Sequence, residues 1–223
     1  RQRQMCIRDR WKAMVADEAA RTTFAKNIKT VLEKNKLDGI DLDFEWAENE
    51  KEYKDYSLAI LKMREVLGNK YLFSVSLHPV CYKISKEAIE AVDFISLQCY
   101  GPSPVRFPIE KYCSDIQMVL EYGIPKEKLV AGVPFYGVTK DNSKKTEAYF
   151  NFVQNGLVTS PAQNEVIYQG DTYVFDGQDN IRIKTRYAKE QKLKGMMSWD
   201  LATDLPLSDS RSLLKTMTEE LRE

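Results

Sequence analysis

Short apolar segments alternate with longer amphipathic segments along most of this 223-residue chain. The apolar segments have the length of β-strands, and the segments between them repeat apolar residues at helical spacing. This alternation is typical of α/β proteins, in which helices cover a sheet of parallel strands. The sequence predicts five such strands, at residues 37–46, 71–77, 94–100, 129–136 and 196–199. The predicted helices include residues 50–67, closed by Gly68, a short helix that Ser85 caps, and a terminal helix at 208–223.

Five strands are compatible with two architectures. One is a complete doubly wound sheet. The other is a (β/α)8 TIM barrel, whose strand-helix units take about 30 residues each, with strands 1–3 absent from this chain and strands 4–8 present. The alternation alone favours neither architecture.

Two segments depart from the alternation. Residues 1–10 show neither periodicity nor a helix cap, so we expect a non-native or unstructured leader there. Residues 138–180 are expected to form a short insertion, with a helix at 146–155 and a β-hairpin after it. The hairpin's predicted two-residue turn is Gly170-Asp171, and glycine in the first position suits type II′ geometry.

The composition argues against several classes of partner and site. The chain has 33 basic residues (lysine and arginine) and 33 acidic residues (aspartate and glutamate). The formal net charge is therefore zero, and we expect no nucleic-acid partner. No apolar run approaches the roughly 20 residues that span a bilayer, so we expect no membrane insertion. The four cysteines form no C-x-x-C pair and His78 is the only histidine, so no zinc site is expected.

One strand carries a row of carboxylates. Residues 38–45 read Asp-Gly-Ile-Asp-Leu-Asp-Phe-Glu. Because side chains alternate along a strand, Asp41, Asp43 and Glu45 share one face, with neighbours about 6.6 Å apart along the strand. Three interpretations are open: an exposed acidic strand end, a site for a divalent metal, or the carboxylic acids of a glycosidase.

The pattern Asp-Gly-x-Asp-x-Asp-x-Glu resembles the signature of glycoside hydrolase family 18, the family of many chitinases. Further segments agree with the family in order and strand position. Gln98 and Tyr100 are similar to its sixth-strand motif, residues 128–137 to its seventh strand, and residues 195–201 to its eighth. The resemblance runs from about residue 11 to the C-terminus, and it implies one partial catalytic barrel over residues 11–223 with a monomeric state.

The resemblance also implies roles for individual residues and no cofactor or metal. Glu45 would protonate the leaving glycosidic oxygen, and the substrate's own acetamido oxygen would attack the anomeric carbon. Asp43 would hold the acetamide N–H, and Asp41 would share a proton with Asp43. The implied catalytic residues are Glu45, Asp43, Asp41 and Tyr100; the implied substrate-binding residues are Trp199, Gln98, Tyr136 and His78, the last with a structural role as an equal alternative; Asp38 and Gly39 complete the motif.

The implied partner is chitin or another oligosaccharide that contains N-acetylglucosamine, and the implied location is secreted or periplasmic. Gly101 stands where the family has an aspartate, which removes one polar contact to substrate. This keeps an endo-β-N-acetylglucosaminidase that acts on N-glycans as an alternative. Two further alternatives are a non-catalytic relative that binds sugar and a metal-dependent barrel enzyme. The short insertion leads us to expect a shallow, endo-acting cleft.

Overall fold

A computed structural model describes residues 2–222, with side chains from residue 9 onward. The chain divides into two compact units. The first comprises the residues up to 96 together with 122–124, and the second comprises 97–121 and 125–223. None of the helices in the described part of the chain is long and apolar enough to cross a membrane.

The described residues of the first unit contain four α-helices, three of which begin at a side-chain cap. The helices are α1 (Gln2–Ala16), α2 (Glu18–Asn35), α3 (Glu50–Leu67) and α4 (Lys86–Ala91). The side chains of Asp17, Asn49 and Ser85 accept hydrogen bonds from backbone N–H groups in the first turns of α2, α3 and α4. Such caps satisfy N–H groups that have no partner inside the helix. Gly68 ends α3 with a positive φ of 61°.

Helix α1 covers most of the predicted leader. Arg1 lies outside the described residues, and the backbone from Gln2 onward is helical. Toward the end of this helix, the Trp11 ring packs against Phe24 and Phe44 at centroid distances of 5.2 and 5.8 Å. Lys12 forms an ion pair of 2.8 Å with Glu48. These contacts were not anticipated from the sequence, and the non-native origin of residues 1–10 stays a prediction.

The strands of the first unit are shorter than the sequence predicted. They are β1 (Gly39–Asp43), β2 (Leu72–Leu77) and β3 (Phe94–Leu97). The three strands are neighbours in the sheet in that order. The last residue of β3 is counted in the second unit. Strands β1 and β2 are parallel and place Asp41 opposite Ser74 and Asp43 opposite Ser76. The residues 98–100, which were predicted to be strand, follow β3 without strand pairing.

Outside the insertion, the described residues of the second unit form a parallel strand pair and three α-helices. Strand β4 (Leu129–Pro134) pairs in parallel with β9 (Gly195–Trp199). The helices are α5 (Ile109–Tyr122, whose last residue is counted in the first unit), α7 (Gln178–Glu190) and α8 (Leu213–Arg222). We predicted a terminal helix from residue 208, but α8 begins at Leu213. Asp204 explains the later start, because its carboxylate accepts hydrogen bonds from the backbone N–H groups of Leu213 and Leu214.

The insertion forms a four-stranded antiparallel sheet with one helix. Its elements are β5 (Tyr136–Thr139), β6 (Thr146–Ala148), α6 (Tyr149–Gln154), β7 (Glu165–Tyr168) and β8 (Asp171–Val174), and the strand order is β6-β5-β8-β7. The predicted hairpin is present, but its turn was misplaced by one residue. Gln169 and Gly170 form the turn, with φ values of 50° and 87°. Two positive φ values are typical of type I′, not the predicted type II′.

Candidate active site

The carboxylate row lies on β1 and the segment that follows it. Asp41, Asp43 and Glu45 are exposed, whereas Leu42 and Phe44 between them are buried. The Phe44 ring packs against Tyr56 of α3 at 5.1 Å. Burial of the alternate residues therefore fixes the face on which the three carboxylates lie.

Gly39 allows β1 to approach β2 closely. A Cβ atom at this position would lie 2.1 Å from the backbone oxygen of Leu72, a distance that real Cβ atoms do not show. The carbonyl of Asp38 accepts the Leu72 N–H at 2.9 Å. The Asp38-Gly39 part of the motif thus contributes through its backbone, because it starts the pairing that sets the register of the row.

Both oxygens of Asp41 accept hydrogen bonds from β2. The Ser74 hydroxyl donates to Oδ1 at 2.6 Å, and the Ser76 hydroxyl donates to Oδ2 at 2.7 Å. Ser74 and Ser76 are buried and were missed in the sequence. Their signal is the alternation of residues 73–77, Phe-Ser-Val-Ser-Leu, which places two hydroxyls on one face of an otherwise apolar strand.

Glu45 lies two residues beyond the end of β1. The Glu45 side chain is exposed to solvent, but the surrounding protein partly desolvates its carboxyl group. This desolvation raises the pKa of Glu45 above the ordinary value for glutamate. The peptide bond to Trp46 is cis. The Trp46 ring packs against the His78 ring at 4.8 Å, and the next residue, Ala47, donates its N–H to Cys81 Sγ at 3.2 Å. These contacts hold the segment that carries Glu45.

His78 takes part in a turn after β2. It forms a β-bridge with Cys81, and its Nδ1 accepts the Val80 N–H at 3.3 Å. The side chain is buried beside Trp46. This geometry agrees with the structural role that we weighed equally with substrate contact, and the binding role stays a prediction.

The second unit holds the predicted aromatic residues. Tyr100 is buried, and its hydroxyl lies 3.6 Å from Met197 Sδ. Its ring meets that of Tyr136 edge to face at a centroid distance of 6.5 Å. Burial raises the pKa of the Tyr136 hydroxyl, and a hydrogen bond with the Gly101 backbone offsets part of this increase. Gln98 is buried just after β3.

Trp199 borders a cavity of about 280 Å³. Its side chain is 56% exposed, which is unusual for so large an apolar group. Tyr136 and Glu147 also line the cavity. The Glu147 Oε1 atom accepts hydrogen bonds from the Ala148 N–H at 2.8 Å and from Asn151 Nδ2 at 2.7 Å, which orient the carboxylate. An aromatic plate beside oriented polar groups is a surface suited to a sugar ring.

Glu147 is a further residue that sequence reasoning missed. No local signal marks it, because its place beside Trp199 depends on how the insertion folds.

Among residues 9–222, no group of three or more histidine, cysteine, aspartate or glutamate side chains is arranged so that it could hold a metal ion. Cys81 and Cys99 are buried free thiols, and Cys113 is a half-buried free thiol.

A family model described as glycosyl hydrolases family 18 matches residues 7–204. The chain belongs to this family. It is similar to a protein named probable chitinase 2 of Drosophila melanogaster, with 23% identity over an alignment that covers 87% of this chain and 53% of the fly protein. The family 18 chain thus spans about half the length of that relative.

Solved structures show which of the two predicted architectures applies. The family 18 chitinase ChiB from the chitin utilization locus of Flavobacterium johnsoniae matches 96% of this chain and 69% of its own, with a TM-score of 0.79 and 26% identity. A chitinase-like agglutinin from Robinia pseudoacacia gives the same TM-score at 18% identity and covers 96% of this chain and 77% of its own. The family 18 chain is therefore an α/β protein with a partial (β/α)8 barrel fold, and the doubly wound alternative is wrong.

Proposed function

We propose that this family 18 chain is the catalytic part of a chitinase-type glycoside hydrolase that cleaves β-1,4-linked N-acetylglucosamine by substrate-assisted, retaining hydrolysis. The observation that carries the proposal is the carboxylate row on β1 and the segment that follows it. Asp41, Asp43 and Glu45 are exposed and alternate with buried residues, and desolvation raises the pKa of the Glu45 carboxyl. A raised pKa keeps more of the carboxyl protonated near neutral pH, as a general acid requires.

In the proposed reaction, Glu45 donates its proton to the glycosidic oxygen as the bond to the anomeric carbon breaks. The acetamido oxygen of the same sugar attacks that carbon, which gives the high effective concentration of an intramolecular nucleophile. Asp43 accepts the acetamide N–H and balances the positive charge of the oxazolinium intermediate. The Glu45 carboxylate then takes a proton from water as the water oxygen attacks the anomeric carbon and the bond from that carbon to the acetamido oxygen breaks. This step restores the acid and retains the configuration.

The residues of the second unit support the same function. The exposed Trp199 ring offers a flat apolar surface on which the C–H face of a sugar can stack. Tyr100 carries a hydroxyl that we assign to the acetamide oxygen. The proposed ligand is chitin or an oligosaccharide that contains N-acetylglucosamine. We further propose a monomer that acts after secretion or in the periplasm.

An endo-β-N-acetylglucosaminidase acting on N-glycans is the second candidate. Gly101 favours it, because the missing carboxylate removes a polar contact that a family 18 chitinase would offer its substrate. The two candidates share the same acid and the same intramolecular nucleophile. They differ in the sugars that flank the cleaved bond.

The test is hydrolysis of a fluorogenic chitobioside by the protein expressed from its complete gene. We expect the wild type to be active and Glu45→Gln to lose about 10²–10⁴-fold in kcat, because general acid catalysis contributes roughly that factor. Glu127→Gln, an exposed glutamate outside the row, is the matched control and should keep full activity. A folded wild type that releases glycan from a high-mannose glycopeptide but leaves chitobioside intact would support the second candidate. A folded wild type that binds the chitobioside or the glycopeptide but cleaves neither would overturn both proposed enzymatic functions.

A further inference from the structure

We propose that Ser74 and Ser76 are positioning residues for the proposed glycosidase reaction, and that their hydroxyls fix Asp41 as the immobile member of the carboxylate row. This inference rests on the proposed function. It starts from the two short hydrogen bonds of 2.6 and 2.7 Å that join β2 to both oxygens of Asp41. Hydrogen bonds to an ionised group are stronger than those between neutral groups.

The register of the parallel strands makes this arrangement specific to Asp41. Ser74 lies opposite Asp41, and Ser76 lies opposite Asp43, one pleat further along. Ser76 nevertheless donates to Asp41 and not to the residue it faces. A serine hydroxyl has one hydrogen to donate, so the donor capacity of both serines is committed to the same carboxylate.

Two anchored oxygens restrict the rotation of the Asp41 side chain. Turning about the bond to its carboxyl group would break both hydrogen bonds at once. Ser74 and Ser76 are themselves buried in β2, which limits the room in which their hydroxyls could follow such a rotation. Asp41 is therefore held as a fixed acceptor beside Asp43.

A fixed Asp41 suits the task that the proposed reaction gives to Asp43. Asp43 must engage the acetamide N–H when the intermediate forms, and we assign it a proton shared with Asp41 before that step. A partner of constant position keeps this proton transfer the same from one turnover to the next, since the electrostatic coupling of two carboxylates depends on their separation. Loss of the serine hydroxyls should therefore slow the chemical step and leave binding of the ground-state substrate nearly unchanged.

The experiment compares kcat and KM for Ser74→Ala, Ser76→Ala and the double variant, with the protein expressed from its complete gene. We expect kcat to fall about tenfold for each single variant and further for the double variant, with KM within about twofold of wild type. Ser74→Thr and Ser76→Thr keep a hydroxyl, so their kcat should lie much closer to that of the wild type than the kcat of the alanine variants does. Ser57→Ala is the matched control. This buried serine of α3 lies outside the row, and its hydroxyl oxygen accepts the Ser85 N–H at a distance of 2.9 Å.

The controls separate the possible failures. If the wild type is active and the alanine variants keep kcat within twofold, the positioning role is wrong and the proposed function stands. Equal loss of kcat in Ser57→Ala, or no recovery in the threonine variants, would also overturn the role, because either result would indicate a general loss of stability. An inactive, folded wild type would overturn the proposed function, and this inference would fall with it.

Discussion

Replacing Lys184 by Met should destabilise the second unit strongly. Lys184 of α7 is fully buried, and its Nζ donates to Asp176 Oδ2 at 2.6 Å and to the Phe107 carbonyl at 2.9 Å. Both side chains of the ion pair have 0% exposure. Methionine fills a similar volume but carries no charge, so the buried Asp176 carboxylate would lose its cationic partner. The neutral amide Nδ2 of Asn180, which donates to Asp176 Oδ1 at 3.2 Å, would remain.

The size of this effect follows from the burial. Removing one partner of a buried pair leaves an uncompensated charge and costs about 3–5 kcal/mol in the free energy of unfolding. An exposed pair contributes only about 0–1 kcal/mol. Lys140→Met is therefore the matched control, because Lys140 pairs with Glu165 at 2.6 Å with the two side chains 59% and 49% exposed.

The assay is urea denaturation followed by circular dichroism, with the slope of the free energy against urea checked for each variant. Adding Asp176→Asn to Lys184→Met removes the orphaned charge and should restore a large part of the lost free energy. A Lys184→Met variant that loses no more than Lys140→Met would refute the reasoning. So would a double variant that is less stable than Lys184→Met alone.

Three further predictions concern the barrel and the site. Gly39→Ala should cost at least about 2 kcal/mol, because its Cβ would overlap the Leu72 backbone oxygen, and thermal unfolding of a variant as stable as wild type would contradict this. The desolvation that raises the pKa of Glu45 favours the protonated folded form, so kcat/KM should fall as pH rises through a value above the ordinary glutamate pKa; an alkaline limb at the ordinary value, measured with the chitobioside, would count against Glu45 as the acid. Trp199→Ala should raise KM about tenfold or more through lost stacking, whereas Leu207→Ala, another exposed apolar residue, should leave KM unchanged.

Local signals predicted the elements whose ends are set by neighbouring residues. Helix α3 has the predicted bounds, residues 50–67, because Asn49 caps its start and Gly68 ends it. Ser85 caps α4 as expected, and the carboxylates alternate with buried residues as the strand pattern indicated. In each case the decisive contact lies within about four residues of sequence, where propensity and capping dominate.

Other features were missed because distant contacts decide them. Helix α1 has a low apolar periodicity of its own, and contacts of Trp11 and Lys12 with the rest of the first unit help to hold it in place. The turn at Gln169-Gly170 was misplaced because the glycine alone does not fix the register; the pairing of Tyr168 with Asp171 does. Glu147 reaches the cavity beside Trp199 only once the insertion has folded.

The serines show why the candidate site was only partly readable from the sequence. Their alternation on β2 was visible, but alternation alone does not say which residue of β1 each serine meets. That choice depends on the register, and the register depends on Gly39, whose missing side chain lets β1 pair with the Leu72 backbone. A shift by one residue would turn the serines away from Asp41. The glycine of the motif and the carboxylates that follow it are thus parts of one requirement, since the first sets the pairing that brings donors to the second.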